Sequence, residues 1–230
     1  MKIFMHDEPI ILVGGSKINS HLLKKIYKKH KIYAADSGAN FLLSNEMDFE
    51  AVIGDMDSID SQKLSYVKNE KKILISDQNT TDLQKCLSKI NSNMFIGFGF
   101  IDLRLDHTLA SLTAINRKHS AIVIILVGEI DTVIWVKGKW SCELPIGTRL
   151  SIWPLGEQFF NGSSGLKYSL EGLTLHPLNL IGTSNETSEN SISLNPSEKY
   201  SSRYVTIMPS KYFLNIYTYF LKHYLNFNHK

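Results

Sequence analysis

The sequence has few cysteines and no long apolar run. Cys86 and Cys142 are the only two among 230 residues, whereas small secreted proteins that depend on disulfides contain many more. The longest strongly apolar stretch, residues 121–127, is about a third of the roughly 20 residues that a helix needs to cross a bilayer. We therefore expect a cytoplasmic protein with reduced thiols and no transmembrane segment.

The excess of one charge over the other is also small. The 25 Lys and Arg residues oppose 22 Asp and Glu residues, which gives a formal net charge of +3. Proteins that coat nucleic acids carry a much larger basic excess. Hydrophobic residues make up 43% of the chain and charged residues 20%, a composition that excludes wholesale disorder and coiled coil. We expect a globular protein with no nucleic-acid partner.

Several familiar ligand motifs are missing. The sequence contains neither Gly-x4-Gly-Lys-Ser/Thr nor Gly-x-Gly-x-x-Gly, which argues against an ordinary P-loop NTPase and a dinucleotide-dependent dehydrogenase. Its His and Cys residues do not have the spacing of a zinc site. Any nucleotide or metal site must therefore be built from other residues.

The first part of the chain alternates short β-branched runs with helical patterns. The runs predict strands at residues 10–13, 32–35, 51–53, 72–75, 94–98 and 121–127. Helices are predicted around residues 22–27, 83–90 and 106–119. This alternation predicts a Rossmann-like α/β domain over residues 1–137, with an open, mainly parallel sheet flanked by helices. Such sheets bind ligands beyond the carboxyl ends of their strands.

The pattern changes after residue 138. Strand-like runs at residues 150–153, 166–170, 173–175, 192–194 and 204–208 are separated by Gly, Pro, Ser and Asn. They predict a smaller antiparallel β-sandwich domain over residues 138–230. Residues 211–226 carry a broad aromatic face at helical spacing. We expect this last helix to pack against its own or a partner's β domain; a membrane-surface helix is the alternative.

Two acids follow the predicted strand at residues 51–53. Asp55 and Asp57 are two apart in an extended segment, so their side chains point to one side. Paired carboxylates suit Mg²⁺, which prefers carboxylate, water and phosphate oxygens. A polar turn with solvated Asp residues is the alternative, because turns favour Asp for local reasons.

A second acidic loop, with Asp77, Thr81 and Asp82, follows the predicted strand at residues 72–75. Thr81 and Gln84 have the spacing of a capping box, which puts Asp82 in the first turn of a helix. Capping alone would explain these residues. Their position after a strand, however, puts them at the same edge of the sheet as the first acidic pair.

The third polar loop contains Arg104, Asp106 and His107 and follows the strand at residues 94–98. Arg104 offers a planar, permanently charged group to phosphate. Alternatively, Asp106 caps a helix and Arg104 only neutralises nearby acids. Several carboxylates and one fixed cation at one edge of a sheet indicate a site for a metal and a polyphosphate.

Two further loops reach the same edge. Gly14 and Gly15 follow the first strand, and Asp36 and Gly38 follow the second. Glycines let backbone N–H groups approach phosphate, and Asp36 is placed to accept a hydrogen bond from a ribose hydroxyl.

Taken in order, these loops resemble the signature loops of the thiamine pyrophosphokinase family. The resemblance rests on Gly-Asp-Met-Asp-Ser at 54–58, Asp-Gln-Asn-Thr-Thr-Asp at 77–82 and Arg-Leu-Asp-His at 104–107. The turn Asp-Ser-Gly-Ala at 36–39 is similar to the family's Asp-Gly-Gly-Ala, and residues 165–170 and 183–186 look like its thiamine-binding domain. The sequence departs from the family at residues 101–103, where a glycine-rich approach to the arginine is usual.

The resemblance implies Mg²⁺-dependent transfer of the diphosphoryl group of ATP to the hydroxyl of thiamine, giving thiamine diphosphate and AMP. The catalytic residues that it implies are Asp55, Asp57, Asp82 and Arg104, with the three acids as metal ligands. The nucleotide-binding residues that it implies are Gly14, Gly15, Asp36, Gly38, Asp77, Thr81, Asp106 and His107. The alternatives are an Mg²⁺-dependent nucleotide phosphohydrolase and a non-catalytic sensor of thiamine or nucleotide.

The resemblance also implies a thiamine site in the second domain. Tyr168 corresponds to the family's aromatic position and would stack on the thiazolium cation or the aminopyrimidine, while Ser184 and Asn185 would supply polar contacts. The family forms homodimers in which the thiamine pocket lies at the subunit interface. A packed strand aromatic is the alternative for Tyr168.

Overall fold

The computed structural model describes residues 3–117, 121–197, 199 and 202–227. The chain divides into two compact units, Met1–Glu129 and Ile130–Lys230. The predicted boundary at residues 137 and 138 would leave Asp131–Val136 in the first unit. This strand instead pairs antiparallel with Tyr204–Pro209, so its partner lies in the second unit. No helix of the described residues is long and apolar enough to span a bilayer.

The first unit alternates strands and helices, as the sequence predicts. Its strands are β1 (Phe4–Met5), β2 (Ile10–Val13), β3 (Lys31–Ala35), β4 (Ala51–Gly54), β5 (Lys72–Leu74), β6 (Ile90–Asn91), β7 (Met94–Phe98) and β8 (Val123–Val127). Its α-helices are α1 (Ser20–Ile26), α2 (Gly38–Ser44), α3 (Ser61–Ser65), α4 (Asp82–Lys89) and α5 (Leu105–Asn116), with 3₁₀ turns at Tyr27–Lys29 and Asn69–Lys71. The helix predicted to reach residue 119 ends at 116, and residues 118–120 lie outside the described part.

Parallel strands form the main sheet of the first unit in the order β8-β7-β2-β3-β4-β5. The residues of β2, β4, β7 and β8 are all buried, as expected when helices cover both faces of a parallel sheet. The carboxyl ends of these strands share one edge. The predicted parallel α/β fold is therefore confirmed.

Local capping explains where two of the helices begin. The Asn19 side chain accepts a hydrogen bond from the Leu22 N–H at the start of α1. Thr81 and Gln84 form the predicted capping box at the start of α4, with each side chain bonded to the other residue's backbone N–H. These contacts satisfy N–H groups that have no partner within the helix.

The second unit contains antiparallel strands and a terminal helix. Its strands are β9 (Asp131–Val136), β10 (Trp140–Glu143), β11 (Ser151–Pro154), β12 (Gln158–Ser164), β13 (Thr174–Leu175), β14 (Ser191–Pro196) and β15 (Tyr204–Pro209). They pair in the orders β11-β15-β9 and β10-β14-β12-β13. Tyr204 of one set contacts Phe160 of the other, with ring centroids 4.9 Å apart, and accepts a hydrogen bond from Trp140 at 3.2 Å. The two antiparallel sets therefore share a core.

One predicted strand of this unit is wrong. Residues 166–170 form no strand, and only Leu166 makes an isolated bridge, to Thr187. The preceding strand, β12, ends at Ser164, and Gly165 follows with a φ of +70°. A residue in this left-handed region turns the chain out of the extended conformation. The residues after it therefore form a loop.

The terminal helix α6 (Phe213–Phe227) follows a 3₁₀ turn at Ser210–Tyr212. It packs against its own unit, which is one of the two packings predicted. The Phe220 ring lies 5.8 Å from that of Trp140, and the Tyr219 hydroxyl is 2.7 Å from Ser141 Oγ. The side chains of Tyr224 and Leu225, which belong to the predicted aromatic face, lie outside the described part.

Candidate active site

A cavity of about 530 Å³ opens at the carboxyl edge of the parallel sheet. The loops that follow β2, β3, β4, β5 and β7 surround it, which is the usual place for a ligand in an open α/β sheet. Its polar lining comes from Ser16, Asp36, Ser37, Asp55, Asp57, Ser58, Gln78, Thr80, Thr81, Asp82, Lys85, Arg104, His107 and Ser111. The three polar loops singled out in the sequence therefore meet around one space.

Three of the acids form a close cluster. Carboxylate oxygens of Asp36, Asp55 and Asp57 lie within 4.8 Å of one another. Asp36 is buried and has a φ of +45°, and its Oδ1 accepts a hydrogen bond from the Met56 N–H at 2.9 Å. A Cβ on Gly54 would lie 2.9 Å from the Asp36 Cβ, so only glycine lets the loops after β3 and β4 approach this closely. The cluster's carboxylates are the donors that Mg²⁺ prefers.

Lys85 was missed by the sequence analysis. Its Nζ lies 2.9 Å from Asp55 Oδ2 and 3.5 Å from Asp82 Oδ1, and its side chain is only 3% exposed. The lysine is on α4, one turn after Asp82. That i, i+3 spacing could have indicated the pair, because residues three apart share a face of a helix. Lys85 therefore links the first two acidic loops.

Lys85 and burial shift the pKa values of the neighbouring acids in opposite directions. Its hydrogen bond to Asp55 holds the pKa of that carboxyl below its ordinary value. Burial, together with the charge of Asp55, raises the pKa of Asp82 although Lys85 opposes the shift. Burial followed by repulsion from Asp82 also raises the pKa of Asp36. Burial alone would lower the pKa of Lys85, but its two carboxylate partners outweigh burial and raise it.

The loop before Arg104 has an unusual backbone. Asp102 and Leu103 both have positive φ, at +72° and +53°. They belong to the segment 101–103, in which the sequence departs from the glycine-rich pattern described above. Ser16 Oγ lies 3.0 Å from the Ile101 carbonyl oxygen and 2.9 Å from that of Asp102. Asp102 Oδ2 accepts a hydrogen bond from the Glu129 N–H at 2.7 Å. These contacts hold a conformation that side chains ordinarily disfavour.

Arg104 itself is exposed and lines the cavity. Its Nε and Nη2 lie 3.2 and 2.6 Å from the two carboxylate oxygens of Asp106. The hydrogen bond from Arg104 lowers the pKa of Asp106. Asp106 does not itself line the cavity, so it holds the guanidinium from outside.

The other predicted nucleotide residues divide into two groups. Gly14, Gly15, Thr81 and His107 line the cavity, whereas Gly38 and Asp77 do not. The Asp77 carboxylate accepts hydrogen bonds from the Asn79 N–H and the Thr80 hydroxyl, both at 2.9 Å. Asp77 therefore holds the shape of its own loop.

The predicted thiamine residues belong to the second unit. Tyr168 is 60% exposed rather than packed in a strand. Ser184 is exposed and has a φ of +59°, and its N–H donates to Ser151 Oγ at 3.0 Å. Asn185 is buried, and its side chain bonds to both backbone groups of Tyr168. The three residues therefore lie on two adjoining loops.

The chain combines a parallel α/β unit, an antiparallel β unit and an acidic cavity beyond the parallel strands. Solved structures share the architecture. Thiamin pyrophosphokinase from Candida albicans matches with a TM-score of 0.72 and 17% identity, over 90% of this chain and 92% of that one. Thiamine pyrophosphokinase from Bacillus subtilis matches with a TM-score of 0.71 and 18% identity, over 88% and 99%.

Sequence comparison leads to the same family. Residues 22–126 match the model of the thiamin pyrophosphokinase catalytic domain. The chain is 26% identical over 214 residues to thiamin pyrophosphokinase 1 of Caenorhabditis elegans, covering 85% of this chain and 84% of the relative. It is 29% identical over 173 residues to thiamine pyrophosphokinase 2 of Arabidopsis thaliana, covering 67% and 64%. The family model and the curated relatives therefore both show that this chain is similar to thiamine pyrophosphokinases.

Proposed function

We propose that this protein is a thiamine diphosphokinase that transfers the diphosphoryl group of ATP to the hydroxyl of thiamine and releases AMP. Beside the similarity to thiamine pyrophosphokinases, one observation of the structure carries the proposal. Three separate loops bring their charged residues to a single cavity, which is lined by Asp55, Asp57, Asp82 and Arg104. The cavity thus combines acids that suit a metal with a cation that suits phosphate.

Magnesium dependence is part of the proposal. The close approach of Asp36, Asp55 and Asp57 supports it, because three carboxylates at this separation fit a hard divalent cation. Asp82 shares its contact to Lys85 with Asp55 and would act on the same metal–phosphate group. Bound Mg²⁺ would supply positive charge against the phosphate oxygens of ATP.

The chain's own groups would chiefly provide position and charge. Arg104 would bind phosphate oxygens through its planar group, and Lys85 would add a second positive charge at the floor of the cavity. The N–H group of Gly15 would approach the phosphates from the loop after β2, because those of Gly14 and Ser16 donate to Phe98 and Gly99. Holding the thiamine hydroxyl in line with the β-phosphorus of ATP would account for much of the rate. We assign no general base.

The remaining parts of the proposal concern thiamine and the assembly. Tyr168 would stack on thiamine, and its exposed ring supports that role. We also propose that the protein is a homodimer with its thiamine sites at the subunit interface, as the family resemblance implies. A cytoplasmic location fits two free, buried cysteines, Cys86 and Cys142.

The decisive experiment follows the products of an incubation with Mg²⁺, ATP and thiamine. We expect thiamine diphosphate and AMP to accumulate in equal amounts, and neither to form without thiamine. Formation of ADP in place of AMP would refute the proposal, and phosphate release that does not depend on thiamine would identify a nucleotide phosphohydrolase instead. Saturable binding of thiamine or ATP with no product would identify a sensor.

A further inference from the structure

Three of the four hydrogen-bonding positions of the Asn185 side-chain amide are engaged inside the second unit. Its Oδ1 accepts hydrogen bonds from the Tyr168 N–H at 3.0 Å and the Glu186 N–H at 2.9 Å. Its Nδ2 donates to the Tyr168 carbonyl oxygen at 2.8 Å. Asn185 is only 3% exposed. The amide therefore bonds to both backbone groups of a single residue, Tyr168.

This arrangement imitates the pairing of two strands. Residues 165–167 run beside residues 186–188, with a hydrogen bond from the Lys167 N–H to the Glu186 carbonyl and another from the Ser188 N–H to the Gly165 carbonyl, both 2.8 Å. At the next residue, Tyr168, both backbone groups bond to the Asn185 side chain instead of to another backbone. A carboxamide has the same donor and acceptor as a peptide group. The Asn185 side chain thus extends the pairing by one residue.

Asn185 is itself firmly held. Its backbone carbonyl accepts a hydrogen bond from the Leu150 N–H at 2.8 Å. The N–H of the residue before it, Ser184, donates to the hydroxyl of Ser151, the first residue of β11. Asn185 therefore ties the Tyr168 backbone to the sheet that contains β11, although Tyr168 lies in a loop and its ring is exposed.

We infer that Asn185 is a positioning residue, which serves thiamine binding by fixing Tyr168 rather than by touching the ligand. The inference rests on the proposed function, in which Tyr168 stacks on thiamine. An aromatic ring must lie over a cationic ring at a defined distance to attract it. A loop residue without backbone restraint would lose that geometry. Asn185 supplies the restraint, and its burial keeps its side chain away from a ligand in solvent.

A double-mutant cycle tests this inference in the full-length protein. The variants are Asn185→Ala, Tyr168→Ala and the two combined, with KM for thiamine, KM for ATP and kcat measured for each. Thr187→Val is the matched control. Thr187 is buried in the same loop, and its hydroxyl bonds to the backbone of Thr148 and Pro145 rather than to that of Tyr168.

We expect Asn185→Ala and Tyr168→Ala each to raise KM for thiamine by about 2- to 30-fold, the range of a cation–π contact. The combined variant should be no worse than Tyr168→Ala, because Asn185 acts only through that ring. The ATP constants and the Thr187→Val variant should stay near wild type. Multiplied effects in the combined variant, or an unchanged KM in Asn185→Ala, would overturn the inference.

Two further measurements keep the outcome decisive. If Asn185→Ala does not fold, the same cycle with Asn185→Asp is used; its retained acceptor predicts a smaller rise in KM and the same lack of additivity. Amide hydrogen exchange gives a readout that does not need turnover. The Tyr168 amide should be protected in wild type and in Thr187→Val, and exposed in Asn185→Ala; equal protection in all three refutes the restraint. A wild-type enzyme that makes no thiamine diphosphate refutes the proposed function instead.

Discussion

Two ion pairs lie at the same cavity in opposite surroundings. Lys85 and Asp55 have side chains that are 3% and 17% exposed, while Arg104 and Asp106 are 66% and 65% exposed. Both pairs lower the pKa of their carboxyl groups. Removing water from the first pair strengthens its attraction, whereas solvent and salt screen the second.

The buried pair holds the site together, whereas the exposed pair is available to a ligand. The Lys85 ammonium joins loops that follow two different strands, so its buried pair fixes the spacing of the acids. The Arg104 guanidinium is pointed at the cavity by a partner that it can exchange for phosphate at little cost, because an exposed pair contributes little. We expect changes to the first pair to affect both folding and activity, and changes to the second to affect activity alone.

The largest effect is expected at an acid that belongs to neither pair. No lysine or arginine of the described chain forms an ion pair with Asp57, whose carboxylate accepts a hydrogen bond from Ser58 at 2.9 Å. Asp57→Asn removes one charge at constant size and should lower Mg²⁺-dependent turnover by at least about 100-fold. Thermal unfolding without Mg²⁺ should be unchanged. Turnover near wild type would remove Asp57 from the metal site.

Lys85→Met should break the buried pair with the next largest effect. Carboxylates that lose a buried partner destabilise a fold, and we expect a loss of about 1–3 kcal/mol in the free energy of unfolding because water in the cavity still reaches Asp82. Turnover should fall by about 100-fold or more. Lys89→Met is the control, since Lys89 is also buried on α4 but does not line the cavity. Urea unfolding and steady-state kinetics test the prediction. Equal stability and equal turnover in the two variants would contradict it.

Arg104→Gln should lower activity without lowering stability. The loss of a charged phosphate ligand predicts a fall of about 100-fold in kcat/KM for ATP. The unfolding midpoint should match wild type, because the side chain is solvated. Asp106→Asn leaves the guanidinium in place and should change kcat/KM far less. Equal losses in both variants would mean that Asp106 is needed as much as Arg104.

The smallest effect is a response to salt. Carboxyl titrations followed by NMR should show the pKa of Asp106 rising toward its ordinary value in about 1 M salt, where the screening length is about 3 Å. The pKa of Asp55 should stay low. Because Asp55 is lowered in the folded state, its pair stabilises the protein above the ordinary carboxyl pKa of about 4. That stability is lost as the pH falls through the lowered value. A matching rise at Asp55 would show that its pair is also screened.

Much of the first unit could be predicted because its signals are local. Apolar runs such as 94–98 are buried on both faces of a parallel sheet and therefore read as continuous apolar segments. Asp55, Asp82 and Arg104 follow such runs, and parallel strands end at a common edge. The capping box at Thr81 is likewise local, because its two side chains reciprocate across one turn.

The remaining features depend on packing that no short pattern records. In the sequence Lys85 resembles any solvent-exposed lysine of a helix, and only the fold shows that it is buried between two acidic loops. The strand β12 was missed because its residues 158–164 are mostly polar, and residues 166–170 were assigned as a strand although Gly165 turns the chain before them. Asn185 has a polar side chain in a loop, and only the fold shows that it bonds to a backbone 17 residues away.

The division of the chain has a practical consequence for spectroscopy. All three tryptophans, Trp135, Trp140 and Trp153, belong to the second unit. Their emission reports the environment of that unit alone, whereas far-ultraviolet circular dichroism averages over both. Heating curves recorded with the two probes coincide only if both units melt together. Comparing the two heating curves therefore shows whether the chain unfolds in one transition or in two.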